Sequence, residues 1–205
     1  MTSSFPPAVG LRGITRGAVR TRLSEVAIDL FSEYGFDEVT VEQIAAAAGI
    51  SARSFHRYFR SKEDAVIGDL ESLGVTVRDT FSSRPRQEPV WESLRVSLEL
   101  LLKELGVSDE RGKRTMLVVS STASLRARNL EKHLLWARLL TPLVADRLSG
   151  GRNTLQAETI VQTGLVCLDV ALTAWAKDDE GVDSAEFLRA AFATLHPSLP
   201  SASID

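Results

Sequence analysis

Arg53, Ser54, His56, Arg57, Tyr58 and Lys62 bring guanidinium, hydroxyl, imidazole, phenol and ammonium groups into one short segment. Together they form a field of hydrogen-bond donors suited to a polyanion with readable edges. Arginine can donate a bidentate pair to guanine O6 and N7, while tyrosine and lysine suit phosphates. On a helical wheel of about 100° per residue, Phe55 and Phe59 fall on one face with Ala52 beside them. Arg57 falls nearly opposite, flanked by Arg53, Ser54 and Tyr58, with His56 near the boundary. One face is an aromatic anchor and the other is a donor array. Many solvated helices carry two arginines over two buried phenylalanines, so the flanking elements must decide.

Those elements are strongly signalled. Thr40 with Gln43 three residues on has the form of a capping box, which starts a helix at Val41. Val41, Ile44, Ala45 and Ala48 then recur at three- and four-residue spacing, and Gly49 can take the left-handed conformation that ends a helix. Ser51 can cap the next helix, and the alanines leave room for the two helices to cross closely. Capped helix, alanine run, glycine turn and second capped helix together indicate a helix-turn-helix that reads duplex DNA.

With those residues in place, the segment resembles the DNA-binding region of TetR-family transcriptional regulators. That family's recognition helix runs roughly Ser/Thr-Leu/Phe-Tyr-x-His/Tyr-Phe-x-x-Lys-Glu. Here it stands as Ser54, Phe55, His56, Arg57, Tyr58, Phe59, Arg60, Ser61, Lys62, Glu63, with His56 in place of the usual tyrosine and Arg60 in place of a common proline. The resemblance covers about Arg16 to Val66. It implies that Ser54 and His56 face bases or nearby backbone, that Tyr58 and Lys62 grip phosphates, and that Thr40 contacts the backbone.

Upstream, Val19, Leu23, Val26, Ala27, Leu30 and Phe31 trace the apolar stripe of a first helix that stops at Tyr34-Gly35. Before and within it Arg12, Arg16, Arg20 and Arg22 have no acidic residue between them, as expected of a basic arm along the minor groove or phosphates; Arg20 and Arg22 are the stronger candidates. Net charge −3 and pI ≈ 5.7 alone argue against a nucleic-acid partner. Local distribution reverses that, because the arm and recognition helix gather the bases while Glu25, Asp29, Glu33, Asp37, Glu38 and Glu42 belong mostly to the scaffold.

The 205 residues are 44% hydrophobic, enough for a core and a second small domain. One cysteine excludes an internal disulfide framework, and no HExxH, paired-cysteine metal site, phosphate-binding glycine loop or nucleophile elbow occurs. The sequence thus suggests no enzyme, catalytic residue, metal or cofactor. The amino terminus lacks a secretory pattern, and the apolar run Ile160 to Ala176 is short for a bilayer and contains Gln162 and Asp169. A cytoplasmic protein without a membrane partner is expected, nucleoid-associated when bound to DNA.

Beyond Lys62 the chain reads as helices near 62–80, 90–105, 109–123, 126–148, 155–177 and 184–195, with Pro142 expected to kink or interrupt the fourth. The fold class is therefore all-α: a flexible arm (1–15), a three-helix helix-turn-helix domain (16–62), a helical effector-binding and dimerisation domain (63–197) and a flexible tail (198–205). A two-fold dimer gains affinity by linking two half-sites. The run TLQAETIVQTGLVCLDVALTAWA, apolar on nearly every face, is the candidate interface helix, either shared with a symmetry mate or wholly internal. Gly164, Ala171, Ala174, Trp175, Phe187 and Ala191 are its candidate contacts.

Candidate effector-lining residues are Trp91, Leu98, Met116, Ser120, His133, Trp136, Leu140 and Cys167, which could equally pack a core. The segment SLRARNLEKHLLWARLLTPLVADRL, with Trp175 downstream, also resembles a TetR C-terminal type, mycofactocin-regulator-like, in regulators linked to acyl-CoA or similar ligands. That implies phosphate contacts for Arg126, Arg128, Arg111, Lys113 and Arg114, which also fit a solvated surface. The function expected is a ligand-responsive homodimeric repressor released from a palindromic operator by a largely hydrophobic effector. The alternative is an effectorless architectural DNA-binding protein with the same reading head.

Overall fold

The computed structural model describes residues 11–68, 70–107, 109–148 and 151–195, and the chain divides after Gly68 into two compact units. In the first, α1 (Leu11–Tyr34), α2 (Val41–Ala47), α3 (Ala52–Phe55) and α4 (Lys62–Ile67) surround a small aromatic core. Leu23, Ala27 and Phe31 on one stripe of α1 are buried with Phe36, Ile44, Ala45, Phe55 and Phe59. The rings of Phe31 and Phe36 lie 4.8 Å apart, and those of Phe55 and Phe59 5.5 Å. Because α1 begins at Leu11, residues 11–15 continue a helix where an arm was expected; residues 1–10, and the whole of the expected tail, lie outside the described residues.

The second unit contains α5 (Leu70–Ser83), α6 (Val90–Glu104), α7 (Glu110–Ser121), α8 (Ala123–Arg147), α9 (Asn153–Trp175) and α10 (Ser184–Leu195). The gaps expected between helices at 81–89, 106–108, 149–154 and 178–183 fall at its loops, whereas the one expected at 124–125 lies inside α8. Asp109 caps α7 by accepting from Gly112 N (2.9 Å), and Thr122 caps α8 by accepting from Leu125 N (3.3 Å). The apolar helix α9 packs against α6, α7, α8 and α10, burying Val161, Leu165, Leu168, Leu172 and Trp175. Its length and composition would also suit a membrane span, but this packing makes it the core helix of the unit.

Two expectations need correction. The helix predicted over 62–80 is broken at Gly68, whose φ of 83° and ψ of −160° lie in a region open essentially to glycine alone. Pro142 does not interrupt α8, which runs from Ala123 to Arg147 with the proline inside it.

Gly68→Ala forces a Cβ into that region, so the variant should lose about 1–3 kcal/mol of stability in urea denaturation of the full chain. An unchanged midpoint would show that the break carries no such strain.

Candidate nucleic-acid interface

The recognition segment is built by local hydrogen bonds. Thr40 Oγ1 accepts from Gln43 N (3.3 Å) while Gln43 Oε1 accepts from Thr40 N (2.8 Å), completing the capping box of α2. Gly49 then turns the chain at φ 72°, with Ile50 N–H donating to Ala45 O (2.9 Å). Ser51 Oγ accepts from Ser54 N (3.1 Å) and starts α3. Only Ala52–Phe55 are α-helical, but Arg57 N–H donates to Ser54 O and Tyr58 N–H to Phe55 O, so tighter turns carry the helical path onward.

This path separates two faces. Phe55 and Phe59 are buried, whereas Arg53, His56, Arg57 and Arg60 are exposed and Ser54 and Tyr58 are half-buried. The Arg53 and Arg57 guanidiniums make no ion pair among the described residues, leaving them open to an external acceptor. Ser54 shares a 3.0 Å hydroxyl contact with Ser51, and Thr40 is exposed at the start of α2. The arrangement offers two guanidiniums, hydroxyls and an imidazole on a single convex face, fixed from behind by aromatic packing.

Two of the expected phosphate ligands are placed differently. Arg20 Nη1 donates to Tyr58 O (2.7 Å), and its guanidinium lies 4.6 Å from the centre of the Phe59 ring. Arg16 Nη2 donates to Arg57 O (3.3 Å), so two α1 guanidiniums meet the carbonyl end of the recognition turn. Lys62 Nζ donates to Phe36 O (2.6 Å) and Val39 O (2.9 Å), and sits 4.3 Å from the Phe36 ring centre. The charged ends of Arg20 and Lys62 are thus engaged inside the unit. A sequence reading detects their charge but not the carbonyls they serve. Arg22 stays exposed and pairs loosely with Glu25 (3.4 Å). The side chain of Arg12 lies outside the described residues.

In the second unit the eight effector candidates do not form one site. Leu98, Trp136 and Leu140 are core, and Cys167 is buried with Sγ 3.8 Å from Ala191 O. Trp91 packs on Phe192 at 4.4 Å and donates to Phe192 O. Met116 and Ser120 line a cleft of about 640 Å³ between α7, α8 and α9, opposite Lys132, Leu130 and Leu168. His133 is buried behind it, with Nδ1 3.2 Å from Asp169 Oδ2 and Nε2 unpartnered. Asn129 Nδ2 donates to Asp169 Oδ1 (2.9 Å). Burial pushes the Asp169 carboxyl up, but hydrogen bonding and charge from His133, then Asn129 and Lys132, outweigh it and hold the carboxyl below its ordinary range. Asn129, Lys132 and Asp169 went unmarked in the sequence, although an aspartate in so apolar a run as α9 was the available signal.

The dimer candidates also divide. Gly164, Ala171 and Trp175 are buried within their own chain: a Cβ at Gly164 would come within 2.5 Å of Leu94, and Trp175 Nε1–H donates to Val182 O (3.0 Å). These three face inward because α9 needs small residues to approach α6 and a partner for its indole N–H. Ala174 is exposed, and Phe187 and Ala191 are half-buried on α10. The exposed stripe of α9 instead carries Leu155, Val166 and Val170, the last two 57% and 59% accessible.

Residues 23–66 match the family of bacterial regulatory proteins called tetR, and residues 88–200 match the MftR C-terminal domain. The chain is 31% identical over 184 residues to the mycofactocin biosynthesis transcriptional regulator MftR of Mycobacterium tuberculosis, covering 88% of this chain and 90% of that protein. It is 27% identical over 152 residues to the HTH-type transcriptional regulator TcmR of Streptomyces glaucescens, covering 71% and 67%. Among solved structures, the fatty acid degradation regulator FadR of Bacillus halodurans superposes with a TM-score of 0.62 at 21% identity, covering 89% of this chain and 96% of that one. FadR of Thermus thermophilus, a transcriptional repressor solved in complex with lauroyl-CoA, gives 0.54 at 23% identity, covering 91% and 98%. The chain belongs to the TetR family of helix-turn-helix DNA-binding transcription regulators, which are not enzymes.

Proposed function

We propose that the protein is a homodimeric repressor that reads a palindromic operator in the cytoplasm and is released from it by a largely apolar effector. The reading rests above all on the open guanidiniums of Arg53 and Arg57, held on a capped and aromatically anchored turn. Ser54 and His56 join them at base edges, with Thr40, Tyr58 and Arg22 on the flanking backbone. Arg20 and Lys62 act as positioning residues: one holds the carbonyl end of the turn, the other ties α4 to the loop before α2.

Dimerisation follows from the operator geometry, since one short recognition helix spans only a few base pairs. The exposed stripe of α9, with Leu155, Val166 and Val170, supports a four-helix interface formed with α10 and their symmetry mates. The effector reading is supported by the α7–α9 cleft, walled by Met116, Leu130, Leu168 and Leu172. It is also supported by the fold shared with a repressor that was solved with lauroyl-CoA. Release requires the effector to bind the operator-incompetent state more tightly than the competent one.

Genomic footprinting followed by anisotropy titration on the recovered site tests the whole reading: a palindrome should emerge, and lauroyl-CoA should release it. A site without two-fold symmetry, or binding indifferent to any acyl ligand, would refute the corresponding part. Arg53→Ala and Arg57→Ala should each weaken specific binding by about 1–3 kcal/mol where the lost group is a bidentate base contact. Unchanged affinity and selectivity in both would remove the face.

Arg20→Met should weaken operator binding while leaving the slope of log K against log salt unaltered, because its partner is a carbonyl. A slope reduced by roughly one unit would make it a phosphate ligand after all. Val166→Glu should convert the dimer to monomer in sedimentation velocity, since it places charge in an apolar interface. A persistent dimer would place the interface elsewhere.

A further inference from the structure

The α7–α9 cleft and the exposed stripe of α9 share residues. Val170, Thr173 and Lys177 line the cleft, and all three are exposed. On a wheel of about 100° per residue they fall on the same face as Leu155, Thr159 and Val166, which continue the stripe toward the start of the helix. One rim of the cleft is therefore part of the stripe. Leu130 and Val170, 58% and 59% accessible, leave apolar side chains of the lining in water on the α8 and α9 sides. Sites for small apolar ligands bury about 70–90% of the ligand's surface. The cleft, at about 640 Å³, has room for such a ligand, but within one chain its apolar rim lies uncovered.

We infer that a second copy of this chain completes the cleft, with Leu155 of the partner subunit covering it at Val170. In a two-fold pair residue i meets j and j meets i, so a single register defines an antiparallel α9 pair. Pairing about the midpoint of the apolar stretch, beside Gln162, sets Leu155 on the partner's Val170 and Thr159 on the partner's Val166. Apolar groups then meet apolar groups. Pairing about Val166 instead sets Leu155 on the partner's Lys177 and Thr159 on the partner's Thr173, which wastes the leucine. Leu155 is 61% accessible in its own chain. At about 1.5 Å per residue it lies about 22 Å along α9 from Val170, too far to cover its own cleft. This rests on the cleft as effector site and on the α9 stripe as dimer interface, and adds that the two are one site.

Effector binding and dimerisation are then linked. A ligand held by both subunits binds the dimer more tightly than the monomer, so it strengthens association by the same coupling. Such an effector releases the operator by rearranging the dimer, not by splitting it.

Cysteine pairs test the geometry without any ligand. In a Cys167→Ala background, Leu155→Cys combined with Val170→Cys should give a covalent dimer on mild oxidation, and neither single variant should. A disulfide needs Cα atoms within about 7 Å, so the two positions cannot link inside one chain. A link in either single variant, or none in the double variant, would overturn the register and the shared site, while the Val166→Glu result reports on the interface separately. Sedimentation velocity over a dilution series tests the linkage: saturating lauroyl-CoA, kept below its micellar concentration, should lower the dimer dissociation constant about tenfold or more. At concentrations where only dimer is present, Leu155→Ala should weaken lauroyl-CoA binding on the order of tenfold, the scale of about two methylenes of lost contact. Bound ligand with an unchanged dimer constant, or unaltered affinity in Leu155→Ala, would show that each cleft serves its own chain alone, leaving the effector site and the dimer standing. If lauroyl-CoA does not bind, the effector reading of the cleft fails and the shared site falls with it.

Discussion

A four-residue helix has no means of holding its own shape, and the reading head of this protein is such a helix. Isolated helices shorter than about 12–15 residues are marginal in water because the first turn costs more than it returns. Everything around Ala52–Phe55 compensates for that deficit. Ser51 accepts from the Ser54 amide, Phe55 and Phe59 fix the segment from behind, and the Arg16 and Arg20 guanidiniums meet the carbonyls at its far end. The donor face can be polar and exposed because the Arg53 and Arg57 guanidiniums take no part in holding the turn.

The same reasoning explains the distribution of charge in the first unit. A phosphate ligand and a carbonyl clamp are both cations near a helix end, and composition cannot tell them apart. The Arg53 and Arg57 guanidiniums are exposed and have no ion-pair partner among the described residues, while Arg20 and Lys62 stack on Phe59 and Phe36 and donate to main-chain oxygens. In this unit the two bases that stack on buried rings, Arg20 and Lys62, both also donate to main-chain oxygens. The acidic net charge is compatible with DNA binding because charge is distributed unevenly, with the exposed Arg53, Arg57 and Arg60 gathered on one segment.

Legibility in the sequence followed the range of the interactions. Thr40 with Gln43, Gly49 and Ser51 act on neighbours within a few residues, and their caps and turn are where the sequence puts them. Most loops between α5 and α10 were legible for the same reason, since Pro85, Pro89, Gly106, Gly151 and Gly181 act locally, but the α7–α8 junction at Thr122 was not. Contacts between distant segments were not. Trp175 resembles an interface aromatic until its indole N–H is seen to serve Val182 O, and Gly164 resembles a dimer notch until Leu94 is found filling it. Gly68 was missed differently: its neighbours continue a helical pattern on both sides, and only the backbone dihedrals reveal the break.

The polar group at the α8–α9 seam was the least legible part, because it depends on three helices at once. Asn129, Lys132 and His133 occupy one turn of α8, and only their apposition to Asp169 on α9 and to the cleft beside α7 gives them meaning. Asp169 takes the Asn129 amide and the Nδ1 side of His133 while the buried His133 Nε2 stays unpartnered, and its charge reaches the Lys132 ammonium only at longer range. Of the two carboxylates of α9, Glu158 stands exposed near its start while Asp169 turns to α8, so a single side chain orients both the amide and the imidazole of the seam.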